Sequence, residues 1–97
     1  MSVVREIQIL QEEEDRVLTL AEKALDSGDL KTGNEFMQAV CVINDQKLAA
    51  CEKLVEEKRR QNSGSIPLAV FEESLREVRE TNKAAHEAQQ VVEKRLA

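Results

Sequence analysis

Hydrophobic residues recur along this chain at alternating steps of three and four positions, in three separate segments. In the first segment this spacing joins Val3, Ile7, Leu10, Glu14, Val17, Ala21 and Ala24, with Leu18 and Leu25 widening the stripe. Such spacing is typical of one face of an α-helix. It predicts a first helix over residues 3–27, whose apolar face has one polar interruption at Glu14.

The second segment carries two adjacent stripes, which predicts a helix with a neighbour on each of two sides. The first stripe consists of Phe36, Val40, Ile43, Lys47, Ala50 and Leu54. The second consists of Met37, Cys41, Asn44, Leu48, Cys51 and Val55. The run from Phe36 to Ile43 is apolar nearly all round, so we expect the deepest part of the core there.

The third segment keeps the same spacing to the end of the chain. Its positions are Leu68, Phe71, Leu75, Val78, Asn82, Ala85, Gln89, Val92 and Leu96. An alignment of the second and third segments at an offset of 35 positions brings Phe36 onto Phe71, but any two heptad helices allow this. It is weak support for an internal repeat.

Helix breakers and capping residues coincide at two places. Gly28 can close the first helix in a left-handed conformation, and either Asp29 or the Thr32–Glu35 capping box can start the second. Gly64 is expected to end the second helix, Ser65 to cap the third, and Pro67 to lie in its first turn.

Short connections between long helices force neighbouring helices to run antiparallel. The predicted fold is therefore an all-α, elongated, coiled-coil-like up-down-up bundle of three helices, over about residues 3–27, 30–61 and 66–96 of a single domain spanning 1–97. The first helix is shorter and more acidic than the others. Part of the apolar face of the third helix is then left for a second copy of the chain, as in a homodimer, or for a helix of a partner protein.

Length and charge narrow the range of functions. A chain of 97 residues with two phenylalanines builds only a thin core, which favours an elongated bundle or an oligomer. A net charge of −5 repels nucleic-acid phosphates and anionic lipids, so neither nucleic acid nor membrane is an expected partner. There is no long apolar run or signal-peptide pattern, and two cysteines ten positions apart cannot pair on one helix. A cytoplasmic location is predicted.

Residues that might carry chemistry are few, and none is predicted to be catalytic, cofactor-binding or metal-binding. His86 is the only histidine, and the residue three positions before it is Lys83, where di-iron carboxylate bundles have glutamate. It is expected on the half-exposed flank of its helix. The acidic run in Gln11–Arg16 is interpreted as a solvated face, with an electrostatic dock for a basic partner as the alternative. Cys41 and Cys51 lie on apolar stripes, where small buried thiols are common.

Polar residues on the third apolar face, Asn82 and Gln89, either fix the register of the helices or simply lie at the wet edge. The candidate interaction surface is the C-terminal half of the third helix, at Ala85, Gln89, Val92 and Leu96. The sequence favours a non-enzymatic protein–protein interaction module, either an adaptor or an assembly subunit. A small acidic cytosolic chaperone for a secretion or assembly system is the alternative, and an enzyme is a distant third.

Overall fold

The protein is all-helical over the residues that its computed structural model describes, 2–61 and 67–97. Helix α1 spans Val3–Asp26, α2 spans Leu30–Gln61 and α3 spans Leu68–Leu96. The helices pack as an antiparallel three-helix bundle with overall dimensions of 50 × 23 × 15 Å. The predicted all-α elongated bundle is confirmed, with no strand in the described residues.

The turn between α1 and α2 has the geometry that its sequence predicts. Gly28 has a φ of 84°, in the left-handed region where a side chain would be strained. The Gly28 and Asp29 N–H groups donate to the carbonyls of Leu25 and Ala24, at 3.0 and 2.9 Å, which satisfies the last carbonyls of α1. These contacts end α1 at Asp26, one residue before the predicted end.

The start of α2 is set by Asp29 rather than by the capping box at Thr32. The Thr32 backbone N–H donates to the Asp29 carboxylate at 3.2 Å, and the helix begins at Leu30. Hydrogen bonds from the Thr32 side chain and backbone lower the pKa of Asp29. This carboxylate therefore satisfies one of the N–H groups that a helix start leaves without a partner.

Helix α3 begins two residues later than predicted, at Leu68. Pro67 lies just before the first turn and has an extended backbone, with φ −58° and ψ 143°, instead of lying within that turn. Its carbonyl accepts the N–H of Val70 at 3.0 Å, so the proline still opens the helix. The predicted helix end at Gly64 and cap at Ser65 lie outside the described residues.

Helix α2 is the central element, and its contacts show the antiparallel order. On one side, Lys47 reaches Gln11 and Glu14 of α1. On the other side, Cys41 contacts the Ala85 carbonyl of α3. The prediction that two adjacent stripes on α2 mean two neighbours is confirmed.

Burial is concentrated in α2. Of the residues from the run predicted to be deepest, Met37, Val40, Cys41 and Ile43 are buried and Phe36 is half-buried. A further cluster lies toward the other end of α2, where the buried residues Cys51, Val55 and Leu75 pack with half-buried Ile7 and Phe71. The core therefore follows one helix along its length.

Gly33 marks a close approach of α1 to α2 that the periodic pattern did not reveal. A Cβ atom at this position would lie 2.8 Å from Leu25 Cγ, closer than real Cβ contacts allow. Gly33 is buried, and it costs the helix stability relative to alanine. The absence of a side chain lets the ends of the two helices meet beside their turn.

The two outer helices pack on α2 and not on each other. No Cα atom of α1 lies within 8 Å of a Cα atom of α3. Since both run antiparallel to α2, they lie parallel to each other, with a groove between them. Among the described residues, no helix combines the length and apolar composition needed to cross a bilayer.

Candidate interaction surface and interhelical contacts

The predicted interaction surface on α3 is largely engaged with α2 of the same chain. The Gln89 side-chain amide donates to Asn34 Oδ1 at 3.1 Å, and the Ala85 carbonyl accepts the Cys41 thiol proton at 3.5 Å. Val92 is buried, with 9% of its surface exposed. Leu96 is 43% exposed, so of these four residues it is the one that presents a large apolar side chain to another molecule.

A buried ion pair joins α1 to α2. Lys47 Nζ lies 2.6 Å from Glu14 Oε2 and 2.8 Å from Gln11 Oε1. Glu14 and Lys47 are only 6% and 4% exposed. Both interrupt apolar stripes in the sequence, and their opposite charges were the signal that could have paired them. The charges compensate each other where water is excluded, which fixes the register of α1 on α2.

A second polar contact joins α2 to α3 near the surface. Asp45 Oδ1 accepts a hydrogen bond from the Asn82 amide at 2.8 Å and lies 2.8 Å from His86 Nε2. The hydrogen bonds from Asn82 and His86 lower the pKa of Asp45. His86 is half-buried on the flank of α3, and its contact with Asp45 acts with the Asn82 bond to hold α3 against α2.

Asn44 is a buried polar residue that sequence reasoning assigned only to an apolar stripe. It is 0% exposed, and its amide nitrogen lies 3.5 Å from the Val40 carbonyl, at the outer limit of a hydrogen bond. Its Oδ1 atom is buried without a hydrogen-bond partner. An unpaired buried amide oxygen lowers stability, so this residue carries a cost that its neighbours offset.

Neither cysteine has the environment of an activated nucleophile. Both thiols are free and buried. Burial is the main cause that raises the pKa of Cys41 and of Cys51, which disfavours the thiolate that nucleophilic chemistry requires. Their contacts are with core residues, the Ala85 carbonyl for Cys41 and the Val55–Leu75 cluster for Cys51.

The acidic run Gln11–Arg16 divides between two roles. Glu14 points inward to Lys47, and Gln11 joins the same contact. Glu12 and Asp15 are exposed. Within residues 2–61 and 67–97, no group of three His, Cys, Asp or Glu side chains is arranged to hold a metal ion.

The apolar faces of the outer helices are only partly covered. Helix α2 buries eleven residues, whereas α1 buries Glu14 and Ala21 and α3 buries Leu75 and Val92. The larger exposed apolar side chains are Val4, Ile9, Leu20, Val42, Val70, Val91 and Leu96. Most of them lie on the outer helices, so any additional apolar contact is available there rather than on α2.

Comparison of the chain with protein-family models, with curated protein sequences and with solved structures finds no match. The class that the geometry defines is that of small antiparallel three-helix bundles with a buried central helix.

Proposed function

We propose that this chain is a non-enzymatic protein–protein interaction module, an adaptor or an assembly subunit that works in the cytoplasm. The observation that supports the proposal is the uneven burial of the three helices. The central helix is closed off by its neighbours, whereas the apolar faces of α1 and α3 are half-covered. Burial of further apolar area at about 25 cal/mol per Å² favours association with another helix.

The expected partner is a second copy of the chain or a helix of another protein. Leu96 is the residue of the predicted surface that is left exposed, and Val91 lies nearby and is also exposed. An exposed leucine gains more from a partner than a buried valine does. Contact is therefore proposed at the C-terminal end of α3, with Leu96 at its centre.

Self-association is tested by light scattering of the wild type and of Leu96→Glu across a wide concentration range. If the chain forms a homodimer through this surface, the wild type gains mass with concentration, and the variant stays at the monomer mass with an unchanged melting curve. Arg95→Glu, at an exposed neighbouring position, is a control for added negative charge. A wild type that remains monomeric and binds no specific partner would contradict the proposal.

Val92→Glu provides the contrast. Because Val92 is buried within the chain, a charge there has no partner to offset its desolvation. We expect this variant to lose about 2 to 4 kcal/mol of unfolding free energy. The expectation that Val92 matters more for assembly than for folding therefore passes to Leu96. A Val92→Glu melt equal to that of the wild type would contradict this assignment.

A small acidic chaperone is the second candidate, and the charge of α1 favours it. Its seven acidic residues outnumber its three basic residues, Arg5, Arg16 and Lys23. An acidic helix beside half-covered apolar faces suits transient binding of a basic, aggregation-prone client. A chaperone would suppress client aggregation and then release the client, whereas an adaptor or assembly subunit would remain in a complex of fixed stoichiometry.

A further inference from the structure

The groove between α1 and α3 has walls whose residues follow from the interhelical contacts. Asn82 and His86 contact Asp45 on the outer side of α3, away from α1. At 100° of rotation per residue, the opposite flank of α3 carries Ser74, Thr81 and Ala88. All three are exposed. The α3 wall of the groove is therefore lined by small side chains, which let another helix approach closely.

The α1 wall is found in the same way. Ile7 packs against the cluster that contains Leu75 of α3, so its side of α1 faces the groove. Positions turned slightly further from α2 on this side include Val4 and Leu18. Val4 is exposed and Leu18 is half-buried. The wall is apolar at these positions but does not reach α3.

The floor of the groove is the part of α2 that lies between its α1 contact and its α3 contact. Met37, Asn44 and Cys51 occupy this strip, and all three are buried. A helix entering the groove would consequently pack against the two walls, above a floor that the chain has already covered. Such an entering helix would take the fourth position of a four-helix arrangement.

The rim of the groove is acidic. Asp15 and Glu22 lie on the groove side of α1, and Glu77 lies on the groove side of α3, all exposed. Arg95 is the base on this side of α3. The helix carries its other central bases, Arg76, Arg79 and Lys83, on the far side. Positive charge is thus directed away from the groove, and negative charge lines it.

We propose that this groove binds an amphipathic helix of another protein, one with a narrow apolar stripe flanked by lysine and arginine. The apolar stripe would meet Val4, Leu18 and Ala88, and the basic flanks would meet Asp15, Glu22 and Glu77. A second copy of this chain is a poor occupant, because it would bring two acidic rims together. The inference rests on the proposed interaction function and assigns it a partner chemistry.

The test uses two synthetic peptides of about 24 residues, which as helices span roughly 36 Å. Both carry alanine and leucine at the core heptad positions. One has lysine and the other has glutamate at the flanking positions. Fluorescence anisotropy measures binding of each peptide to the full chain, and backbone amide NMR shifts locate the contact.

Two double variants with equal added charge separate the groove from general acidity. Thr81→Lys with Ala88→Lys alters the groove wall, whereas Gln38→Lys with Gln90→Lys alters exposed positions away from the groove. Circular dichroism melts check that both variants fold. We expect the lysine peptide to bind the wild type at least about tenfold more tightly than the glutamate peptide. The groove variant should lose about tenfold in affinity and the control less than about threefold.

Amide shifts centred on Leu18, Thr81 and Ala88 would support the inference. Equal losses in the two double variants, equal binding of the two peptides, or shifts centred on Asp45 and His86 would overturn it. Absence of peptide binding would also overturn it. If Leu96-dependent self-association were still observed in that case, the proposed interaction function would stand without the groove. A monomer with neither property would defeat both.

Discussion

At the scale of single residues, the Glu14–Lys47 pair is the contact with the most at stake. Removing one member leaves the other charged and buried, which costs about 3 to 5 kcal/mol in comparable pairs. Replacing both with apolar residues of similar volume is often neutral or stabilising. The pair therefore determines which register α1 adopts more than how strongly it binds.

We expect Lys47→Met to lower the free energy of unfolding by about 3 kcal/mol or more, and Glu14→Leu to act in the same direction. The double variant should recover most of the loss. Urea denaturation of the four proteins measures the coupling. Arg59→Met is the matched control, since its 3.7 Å pair with Glu72 is exposed and should change stability by less than about 1 kcal/mol. Additive losses in the double variant would contradict the assigned pairing.

Asn44 leads to the opposite expectation. Its buried Oδ1 lacks a partner, so replacing the amide with an apolar side chain removes a desolvation cost. We expect Asn44→Leu to raise the free energy of unfolding by about 1 kcal/mol, measured by urea denaturation. Asn44→Asp, which buries a charge of similar shape, should lower it. A destabilised leucine variant would show that the site has no room for the two methyl groups.

At the scale of the helix, the interface of α2 with α3 has a pH-dependent component. Hydrogen bonds hold the pKa of Asp45 below its unfolded value, so ionised Asp45 stabilises the fold. This contribution is fully present above the unfolded pKa of about 3.9 and is lost as the pH falls through the lower folded pKa.

Asp45→Asn should therefore be less stable than the wild type at pH 7, and the difference should shrink as the pH falls below about 4. The loss at pH 7 should be under about 1 kcal/mol, because the side chain is largely exposed. Denaturation curves between pH 2.5 and 7 measure it, with exposed Glu87→Gln as the control. A difference that stays constant across this range would show that ionisation of Asp45 is not its source.

Periodicity predicted the three helices because the position of an apolar face depends only on neighbouring residues. The same local information located the turn at Gly28 and the two-sided burial of α2. It could not pair Glu14 with Lys47, because the register between two helices depends on how their side chains meet. It also placed Val92 on an open surface, since a stripe shows that a neighbour exists but not how far the neighbour extends.

At the scale of the whole molecule, the fold is two antiparallel hairpins that share α2. Each outer helix depends on α2 for its packing, and α2 depends on both. The groove and the exposed C-terminal end of α3 are two separate consequences of this plan. One follows from the angle between the outer helices, and the other from the length of α3 beyond its last buried residue, Val92.

The lack of contact between α1 and α3 also bears on how the chain folds and opens. All interhelical packing joins elements that follow one another in sequence, as in a linear repeat array, so loop-closure costs are small and folding should be fast. Either hairpin can form first, and α1 can detach while α2 and α3 remain paired. Native-state hydrogen exchange should then show two opening free energies, with α1 amides less protected than those around Val40 and Cys51. One common value for both sets would mean that the three helices unfold as a single cooperative unit.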